Sequence, residues 1–245
     1  MCSPRHSGVR SGLPRGPDGL RRRSPVVCPG RLESVTTGSD LHRNQPHVSR
    51  PMWQRAAMTV GGFVVVLYAL EAIDTIAGNR LDAWGIRPLT LDGLWGVAFA
   101  PMLHGGWGHL VANTIPLLVL GFLVLMSGIG RGLAATGLIW LIGGLGTWLT
   151  GGPYLHLGAS VLIFGWLTYL LVRGIFTRSV GQILLGVVVL FVYGGLLWGV
   201  LPGQNGISWQ GHLFGAIGGI VAAWALSANA RRGRRATAGG VPPLP

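Results

Sequence analysis

From about residue 55 onward the chain breaks into apolar runs of about 18–22 residues, the length a helix needs to cross a ~30 Å hydrocarbon layer. Six runs predict spanning helices: approximately Ala56–Ala77, Gly106–Met126, Gly132–Thr150, Ala159–Phe176, Gly181–Leu201 and Gln210–Ser227. The first, fourth and fifth are nearly continuous. The second carries His109, Asn113 and Pro116, and the sixth opens on Gln210 and His212. A helical proline is tolerated in a membrane where neighbours satisfy the freed carbonyl. The pattern therefore predicts an all-α polytopic membrane protein, with a six-helix membrane domain over 56–228 and a long outer loop over 78–103.

Composition agrees, with 49% hydrophobic and 11% charged residues. The net charge of +12 is mostly a property of the ends. All nineteen basic residues are arginine, and ten of them fall in residues 1–55 among Pro, Gly and Ser. That stretch has no helical period and no aromatic interleaving. It reads as a disordered cytoplasmic tail, and no specific nucleic-acid partner is expected. Residues 229–245 read as a second cytoplasmic tail, basic and proline-containing. Cys2 and Cys28 both lie in the first tail, which leaves the membrane domain without a disulfide framework, and neither a metal site nor a cofactor is expected. No apolar region follows Arg21-Arg22-Arg23, so no cleaved signal is expected, and the unpatterned stretch before Met52 makes that methionine a second candidate start.

Arginine also orients the spans, because loops on the cytoplasmic side carry the excess. With both termini inside, seventeen of the nineteen arginines fall inside and only Arg80 and Arg87 outside, in a loop shared with Asp82 and Asp92. That outer loop contains the apolar piece Leu94-Trp95-Gly96-Val97-Ala98-Phe99. It reads either as a structure lying in the interface, with Trp84, Trp95 and Trp107 as headgroup-level anchors, or as an ordinary extracellular loop.

Polar side chains inside spans are costly enough to mark function. On this topology His109 and Asn113 share one face in the outer half of the second span. Ser160 falls within about one turn of the outer end of the fourth. His212 falls in the first turn of the sixth. Four residues from three helices thus meet at one depth, and their chemistry is complementary. Serine needs a neighbouring base, and a neutral histidine is the usual one. A second histidine and an amide can donate to the oxyanion of a tetrahedral intermediate. Gly215 and Gly219, one and two turns below His212, allow close helix approach, as does Gly158 beside Ser160, while Phe164 shares the Ser160 face. No Asp or Glu follows Asp92, so a carboxylate third member from the later helices is unavailable. Each feature alone has an ordinary reading, since a membrane serine commonly bonds its own backbone and glycine pairs commonly serve packing. Their coincidence at one depth favours a site.

The sequence resembles the rhomboid family of intramembrane serine proteases. The matching residues are His104-Gly-Gly-Trp-Gly-His109-Leu-Val-Ala-Asn113, Gly158-Ala159-Ser160 and His212-Leu-Phe-Gly215-Ala-Ile-Gly-Gly219, in order and spacing over roughly residues 56–228. The resemblance implies that Ser160 is the nucleophile and His212 the general base. It also implies that His109, Asn113 and the Ser160 N–H form the oxyanion hole, and that His104 supports the site. Substrates would be transmembrane proteins, typically single-pass, cut within the lipid bilayer near the outer end of the segment. The fifth span and the loop Leu201–Trp209 would serve as gate and cap. One departure stands out: Val161 follows the nucleophile where the family usually has glycine, and a β-branched side chain there is expected to narrow the groove. The runner-up reading is a proteolytically silent relative that binds transmembrane clients. A transporter is the third, disfavoured because the polar groups cluster at the outer end instead of the midplane.

Overall fold

The computed structural model describes residues 50–203 and 206–238, with side chains through Ser227. The expected N-terminal tail, including Cys2 and Cys28, lies outside the described residues up to position 49, as does the C-terminal tail from 239 onward.

The described chain forms α1 (Met52–Ile76), α2 (Leu94–Phe99), α3 (Trp107–Leu125), α4 (Ile129–Thr150), α5 (Ser160–Thr177), α6 (Val180–Tyr193) and α7 (Trp209–Ala238). Three 3-10 turns, Leu81–Trp84, Ala100–Met102 and Gly194–Val200, complete it, and the last prolongs α6. Among the described residues, five segments are long and apolar enough to cross a membrane: α1, α3, α4, α5 and α6 with its 3-10 extension. They coincide with the first five expected runs, although α4 begins at Ile129 instead of Gly132. The sixth run forms the first part of α7, which is not among the five and continues past the expected Ser227.

α5 is the hub. It packs against α3, α4, α6 and α7, and most extensively against α7. Its near-continuous apolar sequence suits burial on all faces, and Leu162, Leu167 and Tyr169 are completely buried. Small residues set the closeness of the α5–α7 contact. A Cβ on Gly219 would collide with the Gly165 carbonyl and the Thr168 hydroxyl, and the Thr168 hydroxyl donates across to the Ala216 carbonyl at 2.7 Å. Interhelical hydrogen bonds beside small residues are the usual glue between helices in lipid. α1 packs chiefly on α3, with the Tyr68 hydroxyl 3.0 Å from that of Thr114 and the Trp107 indole donating to Thr75 Oγ1 at 3.0 Å.

The loop over 78–103 lies across the end of the bundle that carries the polar residues. It is tied to α4 by the Trp140 indole donating to the Val97 carbonyl at 2.7 Å and the Trp148 indole donating to the Thr90 carbonyl at 2.8 Å. Ile86 and His156 exchange backbone hydrogen bonds in an isolated antiparallel bridge, and the Gly158 N–H donates to the Ala100 carbonyl at 2.8 Å. The loop thereby braces residues 151–159, the segment that leads into Ser160. Trp84, Trp95 and Trp107 are all substantially exposed.

Asp74, near the end of α1, serves the same loop. Asp74 is buried and accepts from the Leu81 N–H at 2.7 Å. Asp82 shares a hydrogen bond with Asp74, and burial, then the charge of Asp74 and that bond, hold the Asp82 carboxyl above the usual carboxylate range.

Candidate active site

The first turns of α3, α5 and α7 converge on one cavity of about 840 Å³. His109, Asn113, Ser160, Phe164 and His212 all line it.

Ser160 is the first residue of α5, so its N–H is one of the donors left without an acceptor inside the helix. The segment before it turns through Gly158 at φ +122°, a conformation that L side chains rarely adopt, and a Cβ there would also strike the His109 ring. Gly158 is thus required beside α3, where the sequence placed it only generally in close packing. His212, nine-tenths buried, sits in the first turn of α7 with its Nε2 2.9 Å from Ser160 Oγ.

The other ring nitrogen decides the tautomer. His212 Nδ1 lies 2.9 Å from the Gly199 carbonyl oxygen, which can only accept. Nδ1 therefore carries the proton, and Nε2 is left as the acceptor for the serine hydroxyl. Phe164 stacks on the imidazole with ring centroids 4.0 Å apart and planes 9° from parallel, which fixes the ring against rotation. Gly215 sits one turn further along α7, where a Cβ would collide with the Val161 carbonyl, and Gly219 brings the next turn onto Gly165. Those contacts set how near α7 can bring His212 to α5.

Asn113 is buried, and its Nδ2 has no hydrogen-bond partner among the described residues. An orphaned buried donor at the cavity wall is an expensive feature unless something takes its hydrogen bond. Pro116, one turn below, frees the Ala112 carbonyl from its helical bond, and both residues also line the cavity. His109 makes an edge contact with His104, centroids 5.1 Å apart. His104 lies outside the cavity wall and accepts a long hydrogen bond, 3.4 Å, from the Ala159 N–H, so it supports the residue just before Ser160. Burial, and secondarily His109, push the His104 pKa down to about 3, which keeps the ring a neutral acceptor.

Val161, expected to narrow the groove, does not line this cavity. Its side chain packs against α4 where Gly143 leaves room, since a Cβ on Gly143 would meet Val161 Cγ2. The larger residue after the serine is matched by a missing one on the neighbouring helix, and the cavity is lined by other residues.

Three groups at the site escaped the sequence. His156 is 2% exposed, with Nδ1 2.7 Å from Ser208 Oγ and Nε2 3.3 Å from the Gly152 carbonyl. Ser208 caps α7, accepting the Gly211 N–H on its hydroxyl at 3.3 Å and the His212 N–H on its carbonyl at 3.1 Å. A serine just before an amphipathic run is a readable cap signal, and a histidine four residues before the candidate nucleophile was the clue to His156. The Gly199 contribution is a backbone carbonyl, which leaves no side-chain signature.

Helices fit to cross a bilayer, with a serine–histidine pair at one end of the bundle, define an integral membrane protein of hydrolase-like geometry. The chain belongs to the rhomboid family, a family of intramembrane serine proteases: the Rhomboid domain model matches residues 91–229. Uncharacterized proteins of Mycobacterium bovis and Mycobacterium tuberculosis are each 57% identical to it over 194 residues, covering 76% of this chain and 81% of theirs. One from Mycobacterium leprae is 50% identical over 223 residues, 86% of this chain and 88% of its own.

Proposed function

We propose that this protein is an intramembrane serine endopeptidase that cuts transmembrane segments of single-pass membrane proteins near the outer face of a bacterial plasma membrane. The observation that carries this reading is the pair of bonds on His212, one from Nδ1–H to the Gly199 carbonyl and one at Nε2 from Ser160. Together they select the tautomer that a general base needs.

In the reaction, Ser160 Oγ attacks the scissile carbonyl while His212 Nε2 takes the hydroxyl proton. The imidazolium so formed keeps its Nδ1–H on the Gly199 carbonyl and then gives the Nε2 proton to the leaving amine. Water attacks the acyl-enzyme in the second half, with His212 again accepting a proton and returning it to Ser160. Negative charge on the tetrahedral intermediate is met by the Ser160 N–H, Asn113 Nδ2 and the His109 ring N–H, donors fixed before the substrate arrives. The Gly199 carbonyl takes the orienting place that a carboxylate holds in a serine triad, consistent with the lack of any acidic residue after Asp92.

In this reading α7 is the sixth span, completing a membrane domain over 56–228, and the arginine-rich tails 1–55 and 229–245 lie in the cytoplasm. The cavity then opens at the outer face, at the level where a substrate helix frays most readily. The mycobacterial relatives agree with a bacterial plasma membrane. The test is cleavage of a single-pass transmembrane substrate in liposomes. Wild type should cut near the outer end of the segment, Ser160→Ala should not, and Asn113→Ala should be slower by ~10²–10³-fold. Equal cleavage by wild type and Ser160→Ala overturns the reading.

A further inference from the structure

The two residues of the dyad each have a polar residue four positions upstream, and those two residues also touch. His156 precedes Ser160, Ser208 precedes His212, and His156 Nδ1 lies 2.7 Å from Ser208 Oγ beside the 2.9 Å contact of the dyad itself. We propose that His156 and Ser208 are a positioning pair that ties the lead-in of α5 to the cap of α7 and so sets the Ser160–His212 distance. The proposal rests on the protease reading above.

Hydrogen-bond bookkeeping gives the pair a direction. The Gly152 carbonyl can only accept, so the contact at 3.3 Å places a proton on His156 Nε2. Nδ1 of the neutral ring is then an acceptor, and the Ser208 hydroxyl donates to it. The same hydroxyl oxygen accepts the Gly211 N–H at 3.3 Å, and the Ser208 carbonyl accepts the His212 N–H at 3.1 Å. A chain of bonds thus runs from Gly152 through His156 and Ser208 to the backbone of His212. Burial lowers the His156 pKa against the opposing pull of the Gly152 carbonyl, in keeping with a ring that works in its neutral form.

The surroundings make the link consequential. Residue 156 is already anchored on the other side by its backbone bridge to Ile86, and Gly158 by its bond to the Ala100 carbonyl. The α5 lead-in is therefore held to the outer loop independently of α7. On the α7 side, Ser208 closes the loop from Leu201, whose start follows the Gly194–Val200 turn that supplies the Gly199 carbonyl. Among the described residues His156–Ser208 is the side-chain hydrogen bond that joins these two lead-ins. Without it, α7 meets α5 at the dyad, the Phe164 stack, the Thr168–Ala216 bond and the glycine contacts below, and the cap of α7 keeps its packing on α4 but loses its side-chain tie to the α5 lead-in.

Side-chain geometry supplies the test. The Asn amide reaches about where Nδ1 sits, and the Gln amide about where Nε2 sits. His156→Asn should keep the Ser208 bond and His156→Gln should lose it, while Ser208→Thr keeps the hydroxyl and Ser208→Ala removes it. Detergent-solubilised variants are compared in cleavage of a fluorogenic substrate and in the rate of labelling by a fluorophosphonate probe, which reads Ser160 reactivity without a peptide. His156→Gln and Ser208→Ala should each lower kcat and the labelling rate about tenfold with KM within about twofold, and the double variant should be no worse than either. His156→Asn and Ser208→Thr should stay near wild type. Should His156→Gln fail to fold, Ser208→Ala against Ser208→Thr carries the same test. Unchanged labelling in Ser208→Ala, losses that multiply in the double variant, or a loss confined to thermal stability overturns the proposal and leaves the protease reading standing. A wild type that neither cleaves nor labels overturns both.

Discussion

α5 and α6 are consecutive apolar helices of opposite character. The membrane-crossing window of α5 is 72% buried inside the protein, and that of α6 is 11% buried. Hydrophobicity does not separate them, since α6 with its extension is the more hydropathic of the two. What separates them is how they meet their neighbours. α5 offers Gly165 to the carbonyl of Gly215 and to Gly219, and Thr168 to the Ala216 carbonyl, so α7 lies directly on its backbone. α6 touches α5 around Gly186 and Val189 and turns Leu184, Val187, Phe191 and Val192 outward. The candidate site draws on both. Ser160 and His212 come from the tightly packed pair α5 and α7, whereas the carbonyl that orients His212 comes from the 3-10 end of the loosely held α6. The proposed nucleophile and base therefore share a closely packed frame, and the carbonyl at His212 Nδ1 belongs to the least buried of the candidate spans.

The rigid half should be the more sensitive. His212→Ala removes the base while leaving the α5–α7 glycine contacts, and proteolysis should fall by about 10⁴-fold or more with helical content unchanged by circular dichroism. Residual activity near wild type would separate the dyad from catalysis.

Packing should follow the same division. Gly219→Val forces a branched side chain onto the Gly165 carbonyl and should lower stability by about 1–3 kcal/mol or prevent assembly. Phe191→Ala, at a residue 93% exposed, should change it by less than about 0.5 kcal/mol. Comparable losses in thermal melts of the two purified variants would erase the contrast between the helices.

A finer probe is Gly199→Ala. The added Cβ would sit 3.0 Å from His212 Nδ1 and 2.9 Å from Phe164, tight enough that the imidazole or its stacking partner must give. kcat should fall about tenfold with little change in thermal midpoint. A wild-type kcat would show that the end of α6 does not govern the base.

The smallest effect concerns the outer loop. The Asp82 carboxyl is held above its unfolded value, so its stabilising contribution is present at pH below that unfolded value and is lost as pH rises through the folded one. Asp82→Asn should therefore raise the thermal midpoint by a small amount at neutral pH and leave it unchanged near pH 3. A shift independent of pH would point to packing instead of the shared proton.

The helical frame was legible because span length acts over tens of residues and survives local irregularity. The first five apolar runs map onto helices within a few residues. The last opens on Gln210, His212 and glycines, and it forms the first part of α7. The convergence of His109, Asn113, Ser160 and His212 followed from helix direction alone, as each lies in or near the first turn of a helix whose start is at the same end. What the sequence hid was of two kinds. The Gly199 carbonyl has no side chain to announce it, and the fit of Val161 depends on Gly143, far away in sequence and adjacent only once α4 and α5 pack. His156 was visible as a residue but not as a partner, because the loop path that brings it to Ser208 is set by the Ile86 bridge.

The most direct measurement of the central claim is covalent capture: label the detergent-solubilised protein with a fluorophosphonate and locate the adduct by peptide mass spectrometry. The account predicts a single adduct on Ser160, abolished in Ser160→Ala and strongly slowed in His212→Ala. Labelling that is equal in all three proteins, or an adduct carried by another residue, would contradict it.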